Sequence, residues 1–406
     1  MSKIQTELQK GRHCMVVHNS YPLVEPRVER EALALVRYGY EVDVIALTRP
    51  EEIPFEVVEG VNVYRLPIQR DKSLGFAGQF LEYFKFLTLA FFKLTALHWR
   101  RKYGTVEVHS PPDFLVFAAL WPKLTGAKII LNIHDVMPEF FMSRSKRSMQ
   151  SRLVKLILLE ERISCWFADH VITVTELWRK TLSERSVPSH KTSVVMNAAD
   201  SRIFSMDGRI RKTEAGKGSL RLIYHGTFAH RYGIDFAIRA VALVRKQIPD
   251  IRLTIHGRGE YFNELQDLVK ELGVEKNVSF STRFVPTDEL PTIIQDSDLG
   301  IVPYRRDVFT DGILPTKLME YTALGIPAVV ARTPVIETYF NNDMVCYFNP
   351  EDVNDLARCI LELSTDRQRL KELARNSEEF NRQYSWHAIS KEYASLVDRL
   401  NAGKVA

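Results

Sequence analysis

The chain alternates short, β-branched, almost wholly apolar runs with stretches of helical period. It does so twice, on either side of one charged, aperiodic segment. An apolar run without alternation has no polar face to turn to water, so as a strand it must be covered on both sides. Helices between the strands supply the cover, which is the arrangement of a parallel, doubly wound sheet. In the first half the expected strands are H-C-M-V-V-H from His13, E-V-D-V-I-A-L from Glu41, V-N-V-Y-R-L from Val61, T-V-E-V-H from Thr105, K-I-I-L-N-I from Lys128, H-V-I-T-V from His170 and S-V-V-M from Ser193. Helical patterns run over 27–38 and 152–167.

The segment D-G-R-I-R-K-T-E-A-G-K-G-S, 207–219, has charge and glycine but no period, and reads as a linker. Alternation then restarts with L-R-L-I-Y-H-G, I-R-L-T-I-H-G, N-V-S-F, L-G-I-V-P and P-A-V-V-A, with helices from Ile234 and from Phe262 and a last one over 385–400. A length of 406 residues also favours two domains over one. The expected fold class is therefore α/β, with two Rossmann-like domains. Residues 1–205 form the first and 206–385 the second, and a terminal helix over 386–406 packs back on the first. Two such halves would set two groups of strand C-terminal ends around one inter-domain cleft, the default place for a ligand.

Charge and cysteine narrow the partners. A formal net charge of +5 is too small to argue for nucleic acid, but suits anionic small molecules or an anionic membrane surface. Cys14, Cys165, Cys346 and Cys359 are scattered without a C-x-x-C pair. They read as reduced thiols of a cytosolic protein, not as a disulfide framework or a zinc site. The start, M-S-K-I-Q-T-E-L-Q-K, lacks the apolar core of a signal peptide. The segment 74–97, L-G-F-A-G-Q-F-L-E-Y-F-K-F-L-T-L-A-F-F-K-L-T-A-L, is followed by H-W-R-R-K. Glu82, Lys85 and Lys93 argue against a spanning helix. Two readings stay open: a mostly buried helix, or a helix whose aromatic, basic edge rests on a membrane, giving peripheral contact through 74–102.

Three stretches of the second half carry candidate chemistry. In D-G-I-L-P-T-K-L-M-E-Y-T-A-L-G-I-P, 311–327, Pro315 suits a first helical turn and Gly325 a C-terminal cap. Lys317 and Glu320, three apart, share one face, and an intrahelical ion pair is the simplest account of them. In Y-H-G-T-F-A-H-R-Y-G-I-D, from Tyr224, a strand ends at His225 and Gly226 and Thr227 open a loop containing Arg231. Glycine permits close backbone approach, and arginine offers a planar fork to phosphate. Neither the dinucleotide fingerprint nor the P-loop motif is present here. Gly257-Arg258-Gly259 is a second, weaker turn of this kind. Asp296-Ser297-Asp298 matches a D-x-D metal pattern, but it precedes a strand, at the end facing away from the ligand edge. It is read as a turn, and no metal or other cofactor is expected.

The order G-T-x-x-x-R-Y-G-x-D, I-H-G-x-G, F-V-P-x-x-E-L and P-T-K-L-M-E-Y-x-A-L-G-I-P resembles bacterial retaining glycosyltransferases of the GT-B fold, the group 1 glycosyl transferases of polysaccharide biosynthesis. H-S-P-P-D-F, I-H-D-V-M-P-E and R-V-E-R-E-A-L-A-L-V-R-Y-G-Y-E-V-D-V-I extend the resemblance over the first half. It implies a hexosyltransferase moving sugar from a nucleotide diphosphate donor, uridine-linked, to a glycan or lipid-linked acceptor. Glu320 matches the glutamate that holds the donor ribose, and a carboxylate suits a vicinal diol. Arg231 falls near the basic pair on the diphosphate, with Lys317 adding charge. The amides of Gly312, Ile313 and Leu314 would face the diphosphate or sugar, beside Gly226, Thr227 and Arg258. Phe284 and Val285 match the segment that reads the base. His134 matches a histidine beside the donor sugar, and the acceptor would lie near Ser20 to Arg27.

The chain departs from the family at named positions. Many relatives carry a second glutamate eight residues before the first, and here that position is Gly312. Asp311 is adjacent and is the candidate substitute. The usual arginine and lysine of the first basic loop fall at Thr227 and Tyr232. Two other readings remain at this stage: a nucleotide-sugar epimerase on the same fold, and a non-catalytic nucleotide-sugar binder. The expected location is the cytoplasm, or the inner face of the plasma membrane.

Overall fold

The computed structural model describes residues 10–22, 26–71, 75–205 and 219–403. The polar start up to residue 9, Glu25, Leu74 and residues 207–218 of the expected linker lie outside the described residues. The chain forms two compact units. One comprises Met1–Met196 and Ile389–Ala406, the other Asn197–Ala388.

The first unit runs β1 (Gly11–Ser20), α1 (Pro26–Arg37), β2 (Tyr40–Leu47), β3 (Phe55–Val58), β4 (Val61–Leu66), α2 (Phe76–Arg101), β5 (Thr105–Ser110), α3 (Leu120–Leu124), β6 (Lys128–Ile133), α4 (Met137–Ser145), α5 (Arg152–Phe167), β7 (His170–Thr173), α6 (Glu176–Arg185) and β8 (Thr192–Val194). A 3-10 turn, Asp113–Ala119, leads into α3. The strand order is β3-β4-β2-β1-β5-β6-β7-β8. All pairs are parallel except β3 with β4. Order reverses between β1 and β5, which makes the C-terminal ends of those strands the place for a ligand.

The second unit runs β9 (Arg221–His225), α7 (Ile234–Val244), β10 (Arg252–His256), α8 (Phe262–Glu271), β11 (Val278–Ser281), α9 (Leu290–Gln295), β12 (Leu299–Val302), α10 (Thr316–Ala323), β13 (Ala328–Ala331), α11 (Pro334–Tyr339), β14 (Cys346–Phe348), α12 (Val353–Thr365) and α13 (Arg367–Gln383). Its sheet is wholly parallel in the order β11-β10-β9-β12-β13-β14, reversing between β9 and β12. The last helix, α14 (Trp386–Asn401), starts in this unit and from Ile389 onward belongs to the first.

Two strands escape the sequence pattern. β3 forms a hairpin with β4 through Glu59 and Gly60, both at positive φ, 48° and 86°. Glu-Gly is not among the strong hairpin dipeptides, and the exposed Phe55 and Val57 of this edge strand give no core-facing run. β14 is three residues long, too short for a pattern. The helix α2 differs more. Its charged side chains do not face solvent as a set. Glu82 lies 3.2 Å from His18 and Lys93 sits 4.6 Å above the Tyr64 ring. The outward stripe is instead apolar, with Leu81, Phe84, Phe92 and Trp99 exposed. The mostly buried reading of this segment is therefore corrected.

The first sheet carries a buried polar row. In register, Val17 pairs with His109 and His109 with Asn132, so these side chains and Glu107 share a face. Asn132 Nδ2 donates to Glu107 at 2.7 Å and to Glu31 of α1 at 3.2 Å. Tyr393 of α14 donates its hydroxyl to Glu107. Tyr40 donates to Asp398 at 2.5 Å, and Lys10 Nζ lies 2.9 Å from the same carboxylate. These bonds, not apolar area alone, fix the last helix on a sheet far from it in sequence. Replacing Tyr393 by Phe leaves a fully buried carboxylate short of one donor. We expect a loss of about 1–3 kcal/mol in urea unfolding, and a melting temperature lower by roughly 3–10 °C.

Candidate active site

At the reversal point of the second sheet, β9 ends at His225 and Gly226 follows with φ +124°. A Cβ there would stand 3.3 Å from Lys317 Cε and 3.4 Å from its Nζ. The missing side chain leaves the lysine end room close under the loop. Lys317, in the first turn of α10, is buried. Its Nζ donates to Tyr304 Oη at 3.0 Å and lies 4.8 Å, 4.9 Å and 5.3 Å from the ring centres of Tyr224, Tyr304 and Tyr232. Burial pulls its pKa down to about 8, against the opposing fields of Tyr232 and Glu320. A largely protonated ammonium in a low-dielectric aromatic box attracts an anion far more strongly than an exposed one does.

One turn on, Glu320 is half-buried and does not pair with Lys317. His225 donates from Nε2 to Glu320 Oε2. His225 Nδ1 lies 3.1 Å from Tyr321 Oη, which donates to the Ile223 carbonyl at 3.2 Å. The Tyr321 ring occupies space that a Cβ at Gly300 of β12 would fill, 2.3 Å away. A chain of three side chains thus sets the Glu320 carboxylate at the strand C-terminal edge. The second turn is zipped to the first: Gly226 N donates to His256 O at 2.9 Å and Phe228 N to Arg258 O at 2.8 Å. Cβ atoms at Gly257 and Gly259 would strike the carbonyls of Gly226 and Phe228.

The first unit has its own polar end. Arg27, in the first turn of α1, buries Nε and Nη1, which make no hydrogen bond with the described residues. His134 follows β6, with Nε2 3.2 Å from His109 Nδ1. Burial, then the field of Arg27, hold His134 well below the ordinary imidazole range, and burial takes His109 down to about 4. Both imidazoles are neutral at neutral pH, beside a fixed guanidinium.

Residues 207–380 match the model described as glycosyl transferases group 1, and residues 24–198 match the glycosyl transferase 4-like domain. The GDP-mannose-dependent alpha-(1-6)-phosphatidylinositol monomannoside mannosyltransferase of Mycolicibacterium smegmatis is 32% identical over 145 residues, 34% of this chain and 37% of that one. Sucrose-phosphate synthase of Thermosynechococcus elongatus superposes with a TM-score of 0.77 at 17% identity, covering 97% of this chain and 100% of that chain. The Anabaena protein HepE, solved with UDP, gives a TM-score of 0.67 at 14% identity over 95% and 99% of the two chains. The chain is a group 1 glycosyltransferase. It is accordingly a transferase with the GT-B fold.

Within this glycosyltransferase the named residues fall into three groups. Gly226, Lys317 and Glu320 come together at the β9–β12 edge, and Arg231 joins them through Tyr232. Its guanidinium stands 5.8 Å from the Tyr232 and Phe309 rings. His134 and Arg27 come together in the first unit. The remainder serve other bonds. Asp311 receives both arms of Arg306 at 2.6–3.2 Å, so its carboxylate is engaged at the surface. The amides of Gly312 and Ile313 close the turn onto Phe309 O and Thr310 O at 3.1 and 3.3 Å, and Leu314 is buried. Arg258 spends its Nε on Thr282 O at 2.5 Å. Thr227 offers its carbonyl to Tyr224 at 2.9 Å. Phe284 is exposed and Val285 buried just beyond β11.

Asp298 of the D-x-D pattern accepts from Arg221 N at 2.9 Å and from its guanidinium, at the strand ends away from the site. Glu31, Glu107 and His109 bring ligand atoms within 4.8 Å of one another. The Asn132 amide bridges the two carboxyl groups, donating to each. The sequence reading missed His225, Tyr304 and His109. Y-H-G and V-P-Y at strand ends hinted at the first two, and His109 heads the H-S-P-P-D-F stretch.

Because the Lys317 pKa of about 8 lies below the ordinary 10.5, the unfolded chain binds more protons between those values. Stability should therefore rise with pH across that window in the wild type and not in Lys317→Met. The differential amounts to about 3 kcal/mol over the full window. Urea titrations of both proteins at stepped pH measure it.

Proposed function

We propose that this glycosyltransferase moves a hexose from a uridine diphosphate hexose to a hydroxyl of a lipid-linked glycan, with retention at the anomeric carbon, in cell-surface polysaccharide assembly. The observation that carries the donor assignment is the pair at the β9–β12 edge: a buried ammonium caged by tyrosines and a carboxylate held outward by His225. The first suits a diphosphate and the second a ribose diol. As the anomeric C–O bond breaks, the diphosphate takes the electron pair. Lys317 and Arg231 stabilise that charge without a metal ion. The acceptor oxygen attacks the same face, and its proton passes to the leaving phosphate oxygen. No protein nucleophile is needed. Arg27 and the neutral His134 orient the acceptor on the first unit. The uridine assignment is supported by the family resemblance and by the UDP-bound Anabaena neighbour.

A lipid-linked acceptor is supported by α2. His18, near the end of β1, touches Glu82, so the exposed Leu81 and Phe84 lie at the same sheet end as Arg27 and His134. The Mycolicibacterium relative is named for a phosphatidylinositol acceptor. No described helix is long and apolar enough to cross a membrane. The reading places the enzyme in the cytoplasm against the inner face of the plasma membrane through α2.

One observation favours a second reading, a binder that does not transfer. Position 312 is glycine, and Asp311 is tied to Arg306. Thermal-shift titration with UDP, GDP and ADP tests the donor reading, with the largest shift expected for UDP. Glu320→Ala should raise the UDP Kd roughly 10–100-fold. Unchanged binding would sink the placement of the site, and a larger shift with GDP would replace the base. Incubation with a UDP-hexose and membrane lipid separates transfer from binding, and epimerised donor without acceptor would mark an epimerase.

A further inference from the structure

We infer that α5 forms, with α2 and the segment 113–124, one continuous face that seats the first unit on an anionic lipid bilayer. The inference rests on the membrane contact read for α2 and extends it to a second helix with its own orientation. The outward stripe of α5 repeats the pattern of α2. Leu156, Leu159, Ile163 and Trp166 recur at three- and four-residue spacing and are all exposed, Trp166 to 78%. Soluble helices turn such a stripe inward. Here the inward face is supplied by other residues of α5, among them Val154, Glu161 and Cys165.

The two helices belong to one surface because a single segment touches both. Phe114 stands 6.0 Å from the Phe80 ring of α2, and Phe117 stands 5.1 Å from the Phe167 ring of α5. Trp121 stacks on Trp99 at 5.9 Å and 17°. Leu124, at the end of α3, is 70% exposed between them. Three of the five tryptophans of the chain, Trp99, Trp121 and Trp166, thus belong to this face, where amphipathic rings suit the headgroup layer.

Charge selects the occupant. Among the described residues every exposed charged side chain on α2 and α5 is basic: Lys85, Arg100, Arg152, Lys155 and Arg162. The acids of both helices turn in. Glu82 meets His18, Glu161 is buried on Arg185 at 2.7 Å, and Glu160 is half-buried. A second copy docked on the same face by a two-fold would set lysine and arginine against lysine and arginine. An anionic bilayer meets both the apolar stripe and the basic rim.

The test is flotation of the full chain with phosphatidylcholine vesicles with and without phosphatidylglycerol. Three proteins are compared: wild type, Phe84→Ser/Phe92→Ser on α2, and Leu159→Ser/Trp166→Ser on α5. All substituted residues are exposed, and unchanged circular dichroism melts and UDP shifts confirm folding. We expect wild type to float with the anionic vesicles, more weakly in high salt, and each double variant to bind at least tenfold less. Quenching by brominated lipid should fall in the α5 variant relative to wild type. If the α2 variant loses binding and the α5 variant stays within twofold of wild type, the second helix is excluded while the α2 contact stands. Absence of flotation for wild type overturns both. A wild-type dimer that the α5 variant converts to monomer, by sedimentation, assigns the face to a second copy and overturns the lipid proposal.

Discussion

Placing the Lys317 ammonium among three tyrosine rings is the constraint around which the second unit is built. A cation taken out of water is costly, and the rings and the Tyr304 hydroxyl offset only part of that cost. The uncompensated remainder leaves a charge that solvent has not already screened. Local sequence choices follow from this. Position 226 adopts φ +124°, which disfavours any side chain, and a Cβ there would press on the lysine end at 3.3–3.4 Å. Glycines at 257 and 259 let the neighbouring turn close on the first, backbone to backbone. Glycine 300 leaves room for the Tyr321 ring, which in turn holds His225 and, through it, Glu320.

The first unit uses the same topology with different electrostatics. Its reversal point holds two imidazoles kept neutral by burial, and one guanidinium whose inner nitrogens find no partner among the described residues. Behind them Glu31 is pushed to its neutral form by burial and the adjacent Glu107. Burial works against Glu107, but the facing His13, His109 and Tyr393 hold it near 2, charged. The two carboxyl groups, bridged by one amide, form a polar core behind the imidazoles. One fold thus holds a buried cation at one reversal point and neutral imidazoles beside a guanidinium at the other.

Much of this was legible in the chain. Continuous apolar runs marked the parallel strands, and α5 was read with the bounds it has. Gly226, Lys317 and Glu320 were singled out by glycine, proline and charge near strand and helix ends and by the family resemblance, and the structure brings them to one sheet edge. Other features were not legible because they depend on which way a side chain turns. Helical spacing put Lys317 and Glu320 on one face, but a tyrosine box and a histidine from another strand take them apart. The segment of α2 reads as either buried or edged with aromatic and basic residues, and which way each charge turns was not legible. Glu82 and Lys93 turn inward to His18 and Tyr64 while Leu81, Phe84, Phe92 and Trp99 face out. Asp311 stood beside the vacant glutamate position, and no pattern in the chain showed that Arg306 would claim it. The β3 hairpin and the three-residue β14 lacked enough pattern to register.

The placement of α14 bears on how the protein is made. Glu107 lies inside β5 of the first unit, and one of its donors comes from a helix synthesised after the whole second unit. The first unit therefore cannot complete its polar core as it leaves the ribosome. Until residues 389–401 arrive, the Glu107 carboxylate stays short of a hydrogen bond. Domains of long chains usually fold in order of synthesis. Here the second unit is complete in the chain before the first, whose Glu107 waits for a donor from Tyr393.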